Sequence, residues 1–396
     1  MAERAGYLPG LDADAIRWET LTFGRAGAHL AVEVPALGAA EIEALAGHVR
    51  RHAEARLKTV PVMRIVDTID RAIARLLDRQ DPYRRKMEEL LPIVTGYDRD
   101  MVRLGLTGYL KTFRKPELLR FLAEDFPNPA ILDGFQPLTK GGFGRAYGAD
   151  VLAHIWAGNV PGLPLWSLVA GLLTKAGNIG KVPSAEPLFA GWFAELLAEV
   201  EPEFADCLAI VWWRGGDLGP ETALLQAADV ALGYGGNETL AAIRNRAPIT
   251  TRFLAYGHKV SFGMVAAAAL SPDKAAATAR LAAYDVVRYD QQGCFAPHMF
   301  FVERGGAVSP EKFASYVAHE LAAFERKYPR RPLTIGEASG VAAWRHGEEM
   351  SAGGRVVGDA EGAWSVSYQE ESADFRPSGL NRAIRIVAVD ALADVP

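Results

Sequence analysis

The chain has 396 residues, 49% hydrophobic and 23% charged, with a net charge of −5. That length holds more than one core. The acidic balance and the lack of a Lys/Arg run exclude a surface for phosphate backbones, so no nucleic acid is expected as a partner. Two cysteines exclude a disulfide framework and fit a reducing, cytoplasmic setting.

The opening MAERAGYLPG lacks the apolar run of a secretory leader. The stretch 155–174 is uncharged but carries Asn159, Pro161 and Pro164, which fits a loop and a buried helix, not a membrane span. Residues 1–60 read as short strands, among them HLAVEVPAL, and an Ala-rich helix. Helical spacing follows over 63–79 and 83–93, and the chain stays mostly helical to about Gly148, with a polar loop in LTKGGFGRAYG.

From Val151 the pattern changes. VLAHIWAG is a strand, and PLWSLVAGLLTKAG is a helix ending on Gly177 as its C-cap. NIGKV is a strand, and Ser184 opens a helix through Glu199 with Leu188, Phe189, Trp192, Leu196 and Leu197 on one face. CLAIVWW, GPETALLQAA, DVALGYG and NETLAAIRNR continue the alternation of strand and helix. Such βαβ units predict an α/β fold with a parallel, twisted sheet. Helices follow at 272–289 and, capped by Ser309 with Pro310 in the first turn, to Tyr328; NRAIRIVAVD is a late strand.

Four places carry candidate chemistry. Gly233, Gly235 and Gly236, with Asn237 and Glu238, make a glycine turn between a strand and a helix. It either brings backbone N–H groups to a pyrophosphate or is a tight turn only. Lys181 ends a strand, where an ammonium either holds a ribose or phosphate oxygen or is simply solvated. Asn159, in AGNVPG, either donates its amide to a developing oxyanion or bonds its own backbone. Cys294, in YDQQGCFAPH, sits at a helix-to-strand junction as a nucleophile or as a small packed hydrophobe; Cys207, in an apolar run, reads as packing.

The order and spacing of Asn159, Lys181, the glycine turn and Cys294 resemble the aldehyde dehydrogenase superfamily. The blocks TGYDRDM, HIWAGNVPGLP, GKVPSAEP, WWRGGD, YGGNETL, TTRFLAYGHKVSFG and YDQQGCFAPH resemble the LuxC-type acyl-CoA reductases, the reductase component of bacterial luminescence fatty acid reductase. The resemblance covers about residues 90–390. It implies an aldehyde-dehydrogenase-like α/β fold: a Rossmann-type cofactor domain (1–255, with a helical N-terminal region) and a second α/β domain carrying the cysteine (256–370). A strand segment (371–396) would return to the body or to a partner subunit.

The same resemblance implies that Cys294 attacks an acyl thioester while the Asn159 amide polarises the carbonyl. Lys181 and Ser184 would meet the adenosine ribose, and the turn with Gly233, Gly235, Gly236, Asn237 and Glu238 the pyrophosphate. Hydrolytic relatives carry a water-activating Glu where LAYGHK places Ala255. Without that base a thioacyl-enzyme lasts long enough to accept hydride. Ser184, three residues after Lys181, stands where NAD-using relatives often have Glu, and its neutrality permits a 2′-phosphate. NADPH is therefore expected, unless a register slip brings in Glu186. His258 is ranked ahead of His298 as the group that assists the thiol. The expected donor is acyl-CoA or a carrier-bound acyl group, with an acyl-transfer or acyl-activating partner enzyme possible, in a homo-oligomer. Oxidative CoA acylation, a non-catalytic scaffold and reduction of an acyl phosphate are the competing readings.

Overall fold

The computed structural model describes residues 2–25, 28–351, 353–370 and 375–395. The chain divides into two compact units. One holds the residues up to Thr95 with Leu106–His258; the other holds Gly96–Gly105 and the residues from Lys259 onward.

The first unit starts with β1 (Ala2–Arg4), β2 (Trp18–Arg25) and β3 (Ala28–Pro35), ordered β1-β3-β2. Helices α1 (Ala39–Ala55), α2 (Val62–Leu77) and α3 (Pro82–Thr95) follow, then α4 (Arg99–Lys111), of which the part from Leu106 belongs to this unit, and α5 (Lys115–Asp125). Buried Ile65, Val66, Ile69, Ala72, Ile73 and Leu76 repeat at helical spacing along α2 and define one apolar face. The segment read as a polar loop holds part of a small antiparallel hairpin, β4 (Gln136–Pro137) with β5 (Phe143–Gly144). Gly141 and Gly142, both at positive φ, form its turn.

Five parallel strands then build the main sheet: β6 (Val151–Ile155), β7 (Gly177–Lys181), β8 (Leu208–Val211), β9 (Val230–Tyr234) and β10 (Arg252–Tyr256). Their order is β10-β9-β6-β7-β8. Helices α6 (Pro164–Leu173), α7 (Phe189–Val200), α8 (Leu218–Ala227) and α9 (Asn237–Arg246) connect them. Val151, Ala153 and Ile155 of β6 share a core with Ile42, Leu45 and Val49 of α1 and Leu224 of α8. The alternate residues face α6, where a Cβ on Gly171 would strike Asn178 and Leu152. Helices therefore cover both faces, and the strands read as continuous apolar runs. Tyr7 and Ala36 bridge to Ile210 and Trp212, so the N-terminal strands cover the outer edge of β8.

Two boundaries depart from the sequence reading. Gly177 is not a C-cap, because α6 stops at Leu173 and Lys175 takes the left-handed position at φ 62°. The Ala176 and Lys175 amides donate to the carbonyls of Gly171 and Leu172, the two bonds of a Schellman end. The Lys175 ammonium donates to Asp133 Oδ1 at 2.6 Å, which holds a non-glycine residue there. Gly177 instead begins β7, where a Cβ would come 2.9 Å from both the Asp150 carbonyl and Val49. Its bareness serves the close approach of α1. Likewise Ser184 does not open α7. The helix starts at Phe189, where the Glu186 carboxylate accepts the Leu188 and Phe189 amides at 2.9 Å each.

The second unit is built on β11 (Ser261–Val265), β12 (Pro297–Glu303), β13 (Arg355–Gly358), β14 (Ser365–Gln369) and β15 (Ala383–Val389), ordered β11-β12-β15-β14-β13. Only the β13–β14 pair is antiparallel. Helices α10 (Ala275–Val287), α11 (Pro310–Lys327) and α12 (Ile335–Glu349) belong to it, with Ser309 capping α11 as its sequence suggested. The late segment supplies β15, the middle strand of this sheet.

Candidate active site

In a parallel sheet every strand points the same way, and ligands bind beyond the carboxyl ends where the strand order switches. Here the switch lies between β6 and β9, which run side by side while their following helices lead to opposite halves of the sheet. Asn159 follows β6, Lys181 ends β7, the Gly233–Gly236 turn closes β9, and His258 follows β10. The topology thus gathers all the first-unit candidates at one end of one sheet.

The glycine turn has the openness an anion site needs. Nothing lies within 4 Å of where a Cβ on Gly235 or Gly236 would stand. Gly236 is the N-cap of α9 and offers no capping side chain, so the first-turn amides face outward. Asn237 and Glu238 are exposed in that turn, and the Asn237 side-chain oxygen accepts the His258 amide at 3.3 Å. His258 is thereby tied by its backbone to the start of α9.

Lys181 is half-buried, with its ammonium 6.0 Å from the centre of the Trp213 ring. Burial lowers its pKa from the ordinary lysine value, and Glu221 pulls the other way. A desolvated ammonium gains strongly from an incoming anion. Ser184 is exposed, and its hydroxyl accepts the Trp212 indole N–H at 3.0 Å. Glu186 points inward, 2% exposed, where burial raises its carboxyl pKa against its two amide bonds. The glutamate that could have displaced Ser184 is committed to capping α7. Asn159 is exposed in the turn between β6 and α6.

Cys294 lies in the second unit, exposed, on the short loop between residue 291 and β12; Cys207 is buried. The Ser261 hydroxyl donates to the Cys294 carbonyl at 2.7 Å. Upstream, Tyr289, Asp290 and Gln291 stand consecutively in left-handed backbone, as do Leu380, Asn381 and Arg382. The two runs clamp one another. The Asn381 amide donates to the Asp290 carbonyl, Gln291 Nε2 to the carbonyls of Pro297 and Ala383, and Gln292 Nε2 to Asn381 Oδ1. Non-glycine residues persist in that region only when their surroundings over-determine them. Nothing in the composition of YDQQG marked this clamp; its partners lie about ninety residues away in sequence.

His298 is buried on β12, and its Nδ1 accepts the Ser378 amide at 3.1 Å, which places a neutral ring's proton on Nε2. Phe295 beside Cys294 is 87% exposed, and Phe262 stands edge-on to the stacked Phe301 and Phe375 in an aromatic cluster on the same unit. Trp364, in the same unit, is buried.

This architecture is the aldehyde dehydrogenase fold. The aldehyde dehydrogenase KauB from Pseudomonas aeruginosa superposes with a TM-score of 0.74 over 98% of this chain and 80% of that one, at 16% identity. Residues 57–396 match the family described as Acyl-CoA reductase (LuxC), and the chain belongs to that family.

Its relatives include the long-chain acyl-protein thioester reductase of Photorhabdus luminescens, 24% identical over 304 residues, and long-chain acyl-protein thioester reductase 2 of Photobacterium leiognathi, 23% identical over 324. These matches take in 76% and 80% of this chain but 61% and 66% of the relatives, so it spans less than two thirds of either. No helix among the described residues is long and apolar enough to cross a membrane.

Proposed function

We propose that the chain reduces an acyl thioester to the aldehyde with NADPH, through a thioacyl-enzyme on Cys294. The observation that carries the reading is an exposed, unpaired thiol on a loop whose backbone is fixed on both sides, in a chain of this family. The Cys294 sulfur adds to the acyl carbonyl, the thiol carrier leaves with a proton, and a new thioester forms on the enzyme. The Asn159 amide and the Cys294 backbone N–H stabilise the negative oxygen of each tetrahedral state. A bound NADPH supplies the hydride. The resulting thiohemiacetal releases the aldehyde and regenerates the thiol, with His258 assisting the proton.

Ala255 in β10 leaves no carboxylate at the position where hydrolytic relatives activate water. Lys181 and exposed Ser184 suit a 2′-phosphate, since Lys181 offers a cation and Ser184 carries no charge to repel it. The uncapped start of α9 and the open space beside Gly235 and Gly236 suit the pyrophosphate. The donor is a CoA ester, or an acyl group on a carrier protein or an acyl-transfer partner, and the exposed phenylalanines offer an apolar rest for its chain.

The test is covalent labelling with radiolabelled acyl-CoA, followed by addition of NADPH. Label should attach to the native chain and leave as aldehyde, and Cys294→Ala, checked for folding by circular dichroism, should take none. Undiminished labelling of that variant overturns the assignment.

A further inference from the structure

Away from these residues, α1 carries His48 and His52 one turn apart, so both imidazoles lie on one side of the helix. Their ring centroids are 4.1 Å apart with planes at 33°. Asp206, in the turn Pro202–Cys207 before β8, reaches the same place, with its Oδ1 2.8 Å from His48 Nε2. One ligand atom from each of the three lies within 4.8 Å of the other two.

Three further features suit a cation. His52 Nδ1 sits 2.9 Å from the His48 carbonyl oxygen. That contact requires Nδ1 to carry the proton and leaves Nε2 with a free lone pair, as an imidazole ligand needs. His52 also stands in the last turn of α1, where the helix dipole favours positive charge. Finally, the His48 ring is held in place. Gly10, at φ +75°, comes so close that a Cβ there would lie 2.5 Å from the ring.

We propose that His48, His52 and Asp206 form a Zn²⁺ site with two imidazoles and one carboxylate as ligands. The set matches the borderline donors zinc prefers, and because all three residues are only half-buried, water can complete a tetrahedron. Tetrahedral zinc would hold its ligand atoms about 3.3 Å apart. The His48–Asp206 contact therefore opens by roughly half an ångström, and the His48 ring carries its proton on Nδ1 as the metal takes the place at Nε2. The metal ties α1 to the turn ahead of β8. Since Val49 of α1 packs against Gly177 of β7, the site staples a helix to the sheet whose other end carries Lys181.

The experiment uses the full chain, stripped with chelator, in a Cys294→Ser background so that the exposed thiol does not contribute. Zn²⁺ is titrated by calorimetry, and thermal unfolding is followed in parallel. One equivalent should bind and raise the melting temperature. His52→Ala and Asp206→Asn should each weaken binding by about tenfold or more and abolish the thermal shift. Absence of binding to the Cys294→Ser chain, or equal binding by both His52→Ala and Asp206→Asn, overturns the site. None of these readouts depends on enzymatic activity.

Discussion

Asp290 and Arg382 form an ion pair, Nε to Oδ1 2.7 Å, in which both side chains are 1% exposed and both residues are left-handed. Arg382 also meets Glu325 at 2.6 Å, and Asp290 accepts the Arg331 amide at 3.1 Å. The pair closes the clamp that precedes Cys294. Removing the cation strands a buried carboxylate, so Arg382→Met should cost about 3–5 kcal/mol in urea unfolding. Asp290→Asn should cost less, because Arg382 keeps Glu325 and asparagine tolerates the left-handed backbone. Equal losses would show that the pair does not act as described.

Glu337 gives the fold a defined acid limb. The Arg331 guanidinium is the main cause that holds its pKa down at about 2, and the Thr334 amide and hydroxyl also donate to it. A depressed carboxyl pKa contributes stability that is complete above the unfolded value near 4.5 and lost as pH falls toward 2. Glu337→Gln should therefore lower the urea midpoint at pH 6 and flatten its fall between those pH values. A midpoint curve parallel to the native one would contradict this.

Gly177→Ala tests the corrected end of α6. An extended glycine in a strand accepts alanine easily unless space is short. Here the new methyl meets a backbone oxygen and Val49 at 2.9 Å. The cost should be about 1–3 kcal/mol, seen as a lower melting temperature. A neutral substitution would mean that α1 can yield.

Ala255→Glu should restore a water-activating base. On acyl-CoA the variant should release free acid and yield less aldehyde for each acyl group consumed, measured by chromatography of both products. An unchanged product ratio would remove Ala255 from the account.

Ser184→Glu places a carboxylate beside Lys181. If the 2′-phosphate rests there, kcat/KM for NADPH should fall by at least about tenfold relative to NADH, from charge repulsion alone. A preference that stays put would locate the phosphate elsewhere.

Much of the first sheet was legible because parallel strands buried on both faces leave uninterrupted apolar runs, as in Val151–Ile155 and Leu208–Val211. The start of α7 was not, since its cap is a buried glutamate rather than the serine further upstream. β14 was missed for another reason. Its SVSYQ is buried throughout, and its polar members Ser367 and Gln369 bond Glu348, which pairs with Arg385. A polar network inside a core defeats any apolar pattern. Helix α12 buries only Val341 and Glu348, so it carried almost no periodicity, although Thr334 and Glu337 spelled its capping box. For the candidate site, the sequence located the residues at the sheet's carboxyl end but not what fixes Cys294. That fixation comes from residues 380–383, which nothing local announces.

The position of β15 has a bearing on how the chain matures. As the ribosome delivers the chain, all five strands of the first sheet are available once residue 256 has emerged. The second sheet is still missing its middle until residue 389 appears, and the clamp ahead of the thiol loop lacks its Asn381 and Ala383 partners until then. A chain that has just emerged past Cys294 thus carries a finished first sheet and an unclamped thiol loop, which is among the last parts to take shape.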